Sequence, residues 1–167
     1  MKFQLNCERM DGFVLLDTSF LKEFDDSMLY AMDILLDVQG TSELIFDFPD
    51  EEWSSVRPRE TEIIKNFCNS GKMVLWLIDE INVECEFNNT DVLSAPSKWL
   101  HLPTGKLLAV TANELIQCLA YPELEMEIIF ELDLPKGWYA LSNEDMDKIL
   151  YCQKTPEHNV FENIEEY

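Results

Sequence analysis

Carboxylates are the reactive groups this chain supplies in quantity: 33 Asp and Glu stand against 12 Lys and Arg, a formal charge of −21 over 167 residues. Two carboxyls at the right separation can act as acid and nucleophile on a glycosidic bond. Asp47, Asp50, Glu51, Glu125 and Glu127 are all of the right type. With so many acids, however, such a pair arises in almost any fold, and none of the five is singled out. A calcium loop needs oxygen ligands at alternating positions around a glycine turn, which neither Asp25, Asp26 nor Asp50, Glu51, Glu52 provides. There are two histidines, His101 and His158, and no motif sets further ligands or a nucleophile beside either. His101, in an expected strand near Trp99, is read as structural. The phosphate-binding, dinucleotide, nucleophile-elbow, zinc-protease and EF-hand signatures are absent. Cys7, Cys68, Cys85, Cys118 and Cys152 are odd in number, widely spaced and without a C-x-x-C pair. They read as reduced core thiols of a cytosolic protein rather than as a disulfide framework or zinc site. No metal and no cofactor is implied.

The informative property is where the acids fall. Glu123, Glu125, Glu127, Glu131 and Asp133 lie on alternate positions of one segment, Glu84 and Glu86 on another, and Asp50, Glu51 and Glu52 form a cluster. The ordinary reading is a set of solvated faces that keep an acidic protein in solution. The functional reading is a docking surface. Carboxylates on one strand face repeat at roughly 6–7 Å, twice the rise per residue, which imitates phosphate spacing and steers a basic protein into register. Trp53 or Trp138 would add an aromatic anchor. Nucleic acid and anionic membranes would be repelled. No signal-peptide or membrane-spanning apolar run is present, so a cytoplasmic location is expected.

In size, charge and absence of catalytic motifs the chain resembles, in kind, bacterial immunity proteins and nucleic-acid mimics, although no family motif can be placed on its residues. The resemblance implies a non-enzymatic acidic binding protein that neutralises a basic partner, most fittingly a nuclease-type toxin. Two alternatives stand beside it. One is a hydrolase with an unrecognised carboxylate pair near residues 47–52, and the other a structural protein that self-associates through a strand edge.

These residues must be positioned by a folded core, for which 47% hydrophobic residues suffice. Alternation predicts strands over 2–8, 13–17, 44–48, 81–87 and, at greatest length, 123–133, where only Ile129 breaks the period. Residues 73–78 and 81–87 are expected to form a hairpin, as are 99–102 and 107–110, and the first two strands are expected to be joined by the turn at Asp11-Gly12. Helical spacing and caps predict helices after Asp25, Arg59 and Thr111, and another from Ser142 to Leu150. The result is an α+β fold, mainly antiparallel with three to four short helices, in a single compact domain over 1–156, followed by an acidic tail, 157–167. A weak echo between 15–21 and 101–107 raises the alternative of two related halves, 1–88 and 97–156, but chance similarity is the preferred explanation.

Overall fold

The computed structural model describes residues 2–7, 13–38, 58–76, 81–87, 98–145 and 149–155. In chain order these form β1 (Lys2–Cys7), β2 (Phe13–Asp17), a 3-10 helix (Thr18–Glu23), α1 (Asp26–Val38), α2 (Pro58–Asn69), β3 (Val74–Trp76) and β4 (Ile81–Phe87). There follow β5 (Lys98–Leu102), β6 (Lys106–Thr111), α3 (Ala112–Ala120), β7 (Ile128–Asp133), β8 (Gly137–Asp145) and β9 (Ile149–Thr155). Two sheets result, one of five strands in the order β1-β4-β9-β8-β5 and one of four in the order β3-β2-β6-β7. Their ladders are antiparallel apart from β4 with β9. The α+β, mainly antiparallel class is therefore the one the chain adopts.

Alternation explains why β2, β3 and β6 of the four-stranded sheet bury side chains on both faces. Val14 and Leu16 of β2 stand opposite Val110 and Leu108 of β6, and all four join Leu75, Met28, Met32, Ile64, Leu115 and Ile116 in the core beneath the three α-helices. The intervening Leu15, Leu107, Ala109 and Val74 point to the other face and are equally buried, with β5 of the second sheet lying against β2 and β3. Each such side chain contributes roughly 1.5–3 kcal/mol through burial. The helices begin where local chemistry allows. Asp25 caps α1, its Oδ1 accepting from Met28 N–H at 2.8 Å, and proline opens α2 at a position that needs no N–H donor.

One carboxylate joins the sheets. Asp17 ends β2 and is fully buried. Its Oδ1 accepts from Ser19 N–H at 2.9 Å and from the Thr104 hydroxyl at 2.7 Å. Its Oδ2 accepts from the N–H groups of Thr104 at 3.0 Å and Gly105 at 3.1 Å. Residues 103–105 carry the chain from β5 in one sheet to β6 in the other. The two segments of the sequence echo thus meet through Asp17 and Thr104. Gly105 is held at φ +76, where a Cβ would collide with the Leu134 carbonyl, and its own carbonyl accepts from Leu134 N–H at 2.7 Å. Burial acts to raise the Asp17 pKa, but the hydrogen bonds from Ser19 and Thr104 overcome it and hold the carboxyl below its ordinary value.

A second close approach fixes β5 and β8 against the end of α2. His101 N–H donates to the Gly71 carbonyl at 2.7 Å, and its ring stacks on Trp138 with centroids 4.4 Å apart. Gly71 has φ +79, and a Cβ there would strike the Trp138 ring. The structural reading of His101 matches this placement.

Two expected hairpins are different. β1 pairs with β4 and β2 with β3 and β6, and the turn expected at Asp11-Gly12 between them lies outside the described residues. Residues 73–78 and 81–87 are not a hairpin, because β3 joins the four-stranded sheet and β4 the five-stranded one. The same holds for β5, which pairs with β8, and β6, which pairs with β2 and β7. Alternation identifies a strand but carries no information about its neighbour, and short turns do not oblige the chain to fold back on itself. The helix expected from Ser142 to Leu150 is replaced by the ends of β8 and β9, which pair antiparallel. Three apolar residues at helical spacing were too few to outweigh the ladder to β8 on one side and β4 on the other. The strand expected over 123–133 begins only at Ile128. Thr18–Glu23 forms a 3-10 helix capped by Asp17, an element that neither apolar spacing nor alternation predicts. The strand expected over 44–48 and the tail 157–167 lie outside the described residues.

Replacing Asp17 by Asn should lower unfolding free energy at neutral pH by about 2 kcal/mol, since charge-assisted acceptors are lost in a dry site. The native carboxyl titrates below the unfolded one, so its contribution is present above the ordinary value of about 3.9 and disappears as pH falls through the lower native value. Urea unfolding of both proteins across a pH series should show the gap full at neutrality and closing in acid.

Candidate functional site

The carboxylates of residues 123–133 sit on a pinned turn and the strand that follows it. Thr111 caps α3, accepting from Glu114 N–H at 3.2 Å. In a full capping box the Glu114 carboxylate would return to the cap residue. Here Glu114 Oε1 instead accepts from Glu127 N–H at 2.9 Å and from the Cys118 thiol at 3.3 Å. Tyr121 N–H closes the helix end on the Gln117 carbonyl at 2.9 Å, and Leu124 N–H donates to the Tyr121 carbonyl at 3.0 Å. Met126 packs against the helical core. The backbone of 121–127 is thereby tied at both ends and in the middle. Burial pushes the Cys118 thiol pKa up, and the hydrogen bond and charge of Glu114 push it further.

β7 continues from this turn with an irregularity. Phe130 stands opposite Ala109 but Ile128 opposite Val110, so Ile129 is the extra residue of a β-bulge. The break in alternation at Ile129 is the trace of that bulge. Beyond it, Glu131 stands opposite Leu108 and Asp133 opposite Lys106. Because Leu108 belongs to the helix-side core, both acids occupy that same face of the sheet, roughly 6–7 Å apart. Glu123, Glu125, Glu127, Glu131 and Asp133 are all exposed.

The other acids named from the sequence are elsewhere. Glu84 and Glu86 lie on β4, opposite Gln4 and Lys2 of β1, with β9 on its other side. They are an inner-strand pair in the five-stranded sheet, whereas β7 belongs to the four-stranded one. Asp50, Glu51 and Glu52, with Asp47 of the hydrolase alternative, lie outside the described residues, as does Trp53. Trp138 is 4% exposed and cannot serve as a surface anchor. It is spent on the contact with His101 and Gly71.

Sequence reasoning missed the apolar members of the surface. Tyr121, Leu124 and Ile128 are 59%, 48% and 43% exposed, although Leu124 and Ile128 fall on the alternation that read as inward. Pro122 at the start of the turn and the doubled isoleucine were the signals that the strand does not run unbroken from residue 123. Among the described residues no three His, Cys, Asp or Glu side chains gather as metal donors. No helix among them is long and apolar enough to cross a membrane.

No protein-family model and no curated protein matches the chain. Among solved structures the chain is similar to ComJ, inhibitor of the DNA degrading activity of NucA, from Bacillus subtilis. The identity is 11%, 93% of this chain and 99% of that chain are covered, and the TM-score is 0.39. A likeness that slight decides nothing about the site.

Substituting Glu114 by Ala removes the acceptor of the Glu127 amide. Hydrogen exchange at Glu127 should accelerate about tenfold, the equivalent of one hydrogen bond, while core amides of β2 and β6 keep their protection. Glu114→Gln, which retains an acceptor oxygen, should recover most of the difference.

Proposed function

We propose that this chain is a non-enzymatic acidic binding protein that occludes a basic protein, most fittingly as an immunity-type inhibitor of a nuclease. The observation that carries the reading is the row of exposed carboxylates, Glu123, Glu125, Glu127, Glu131 and Asp133, borne on a turn and strand tied to the core. A row whose backbone is fixed in this way forfeits little main-chain freedom on binding, so its field acts on a partner without the chain first having to be organised. A nuclease must present cationic groups to hold phosphates, and the same groups are what such a row would cover. Glu84, Glu86 and the Asp50 to Glu52 cluster add to the long-range field that draws a cation in. ComJ, as inhibitor of the DNA degrading activity of NucA, has a role of the same kind, but the reading rests on this charge arrangement. It includes a cytoplasmic site of action, needs no cofactor, and takes neither nucleic acid nor membrane as a direct ligand.

The test purifies the products of the genes that flank this chain's own and assays any basic DNA-degrading protein among them for inhibition by the chain. Inhibition should weaken steeply with salt, and Glu125→Lys with Glu127→Lys should slow association by about tenfold or more at low ionic strength. Salt-independent binding, or nuclease activity untouched by stoichiometric amounts of the chain, would remove the basis of the proposal.

A further inference from the structure

The carboxylate row is interleaved with exposed apolar side chains, and the two are held by the same backbone. Met126 is partly buried against the core, while Leu124, two residues before it, and Ile128, two residues after it, are 48% and 43% exposed. The chain turns at residues 122–124, where Leu124 N–H donates to the Tyr121 carbonyl, so Leu124 and Ile128 flank Met126 as apolar side chains left exposed beside the one that packs inward. Ile128 stands opposite Val110, a fully buried member of that core. Tyr121, 59% exposed, sits at the end of α3 where the turn begins. α3 lies over β6 and β2, and past it the helix-side face of β7 shows Ile128, Glu131 and Asp133 to solvent.

We infer that residues 121–131 form a mixed docking ridge. Tyr121, Leu124 and Ile128 seat against apolar side chains of the partner, and Glu123, Glu125, Glu127 and Glu131 engage Lys or Arg side chains flanking them. This deepens the inhibitor reading and rests on it. The occupant is fixed by charge: every ionisable group on the ridge is an acid, so a second copy of the chain would bring carboxylate against carboxylate, and a basic segment with interspersed apolar residues is what complements it. The division of labour follows from physics. Exposed charges steer encounter and are screened by salt, whereas desolvated apolar contacts at the centre of an interface govern dissociation.

The experiment titrates the full 15N-labelled chain with two synthetic peptides of equal length and charge, one alternating Lys with Leu and the other Lys with Ser. Both should shift amides of residues 121–131, and the Lys–Leu peptide should bind about tenfold more tightly. Leu124→Ser with Ile128→Ser should erase that advantage and leave Lys–Ser binding unchanged. Both substitutions are at exposed positions, and the amide spectrum of the variant away from the turn reports whether the fold is kept. Leu124→Ala alone, a milder change, should remove part of the advantage. Equal affinity for the two peptides, with shifts still at 121–131, overturns the apolar part and leaves the acidic reading standing. Shifts confined to other residues, or no binding of either peptide, overturn both.

Discussion

The buried carboxylate of Asp17 is the constraint on which the two-sheet arrangement depends. The crossover at residues 103–105 passes from one sheet to the other with Thr104 exposed and Gly105 buried, and the Gly105 N–H would otherwise lack an acceptor, a costly state for a buried amide. A single side chain at the end of β2 supplies the acceptors for Thr104 and Gly105 and turns Thr18–Glu23 into a 3-10 helix by taking the Ser19 N–H as well. Gly105 completes the arrangement, since its positive φ and its approach to Leu134 leave no room for a Cβ. Neutral Asn could fill the same space but would put a donor where only acceptors are wanted.

The acidic ridge is a consequence of a similar economy at α3. Glu114 occupies the capping-box position, yet its carboxylate reaches forward to the Glu127 amide rather than back to the cap. One side chain therefore orders a turn that follows its own helix. With Met126 packed against the core and the Glu127 amide held by Glu114, the turn resists the mutual repulsion of Glu123, Glu125 and Glu127. Repulsion confined on a stiff element becomes a directed external field, whereas on a free loop it would be relieved by spreading.

Much of this architecture was legible from residue types and spacing, and the remainder failed for definable reasons. α1, α2 and α3 followed from Asp25, Thr111 and the recurrence of Met28, Met32, Ile63, Ile64, Phe67 and Leu115. Strand positions followed from alternation. Strand partners did not, because Val14 carries no mark saying that it will meet Val110 rather than a residue of β1. Residues 142–150 were misread since caps and a few apolar positions also suit two strands. At the ridge, the five acids were correctly placed at the surface by their chemistry, but Leu124 and Ile128 were assigned inward by a period that Pro122 and the bulge at Ile129 interrupt. The wider acidic surface was read as one group, and the fold divides Glu84 and Glu86 from β7 by placing them in separate sheets.

The parallel ladder between β4 and β9 ties Glu84 to Ile149 and Phe87 to Cys152, across more than a third of the chain. During synthesis β1 and β4 emerge early, but the inner edge of β4 has no partner among the described strands until β9 leaves the ribosome. Contacts of such long sequence separation form slowly, and an unpaired edge in a nascent chain is a template for association with other chains. The four-stranded sheet, complete once residue 133 has been made, can condense with its helices ahead of that moment. The five-stranded sheet is therefore the late-closing half.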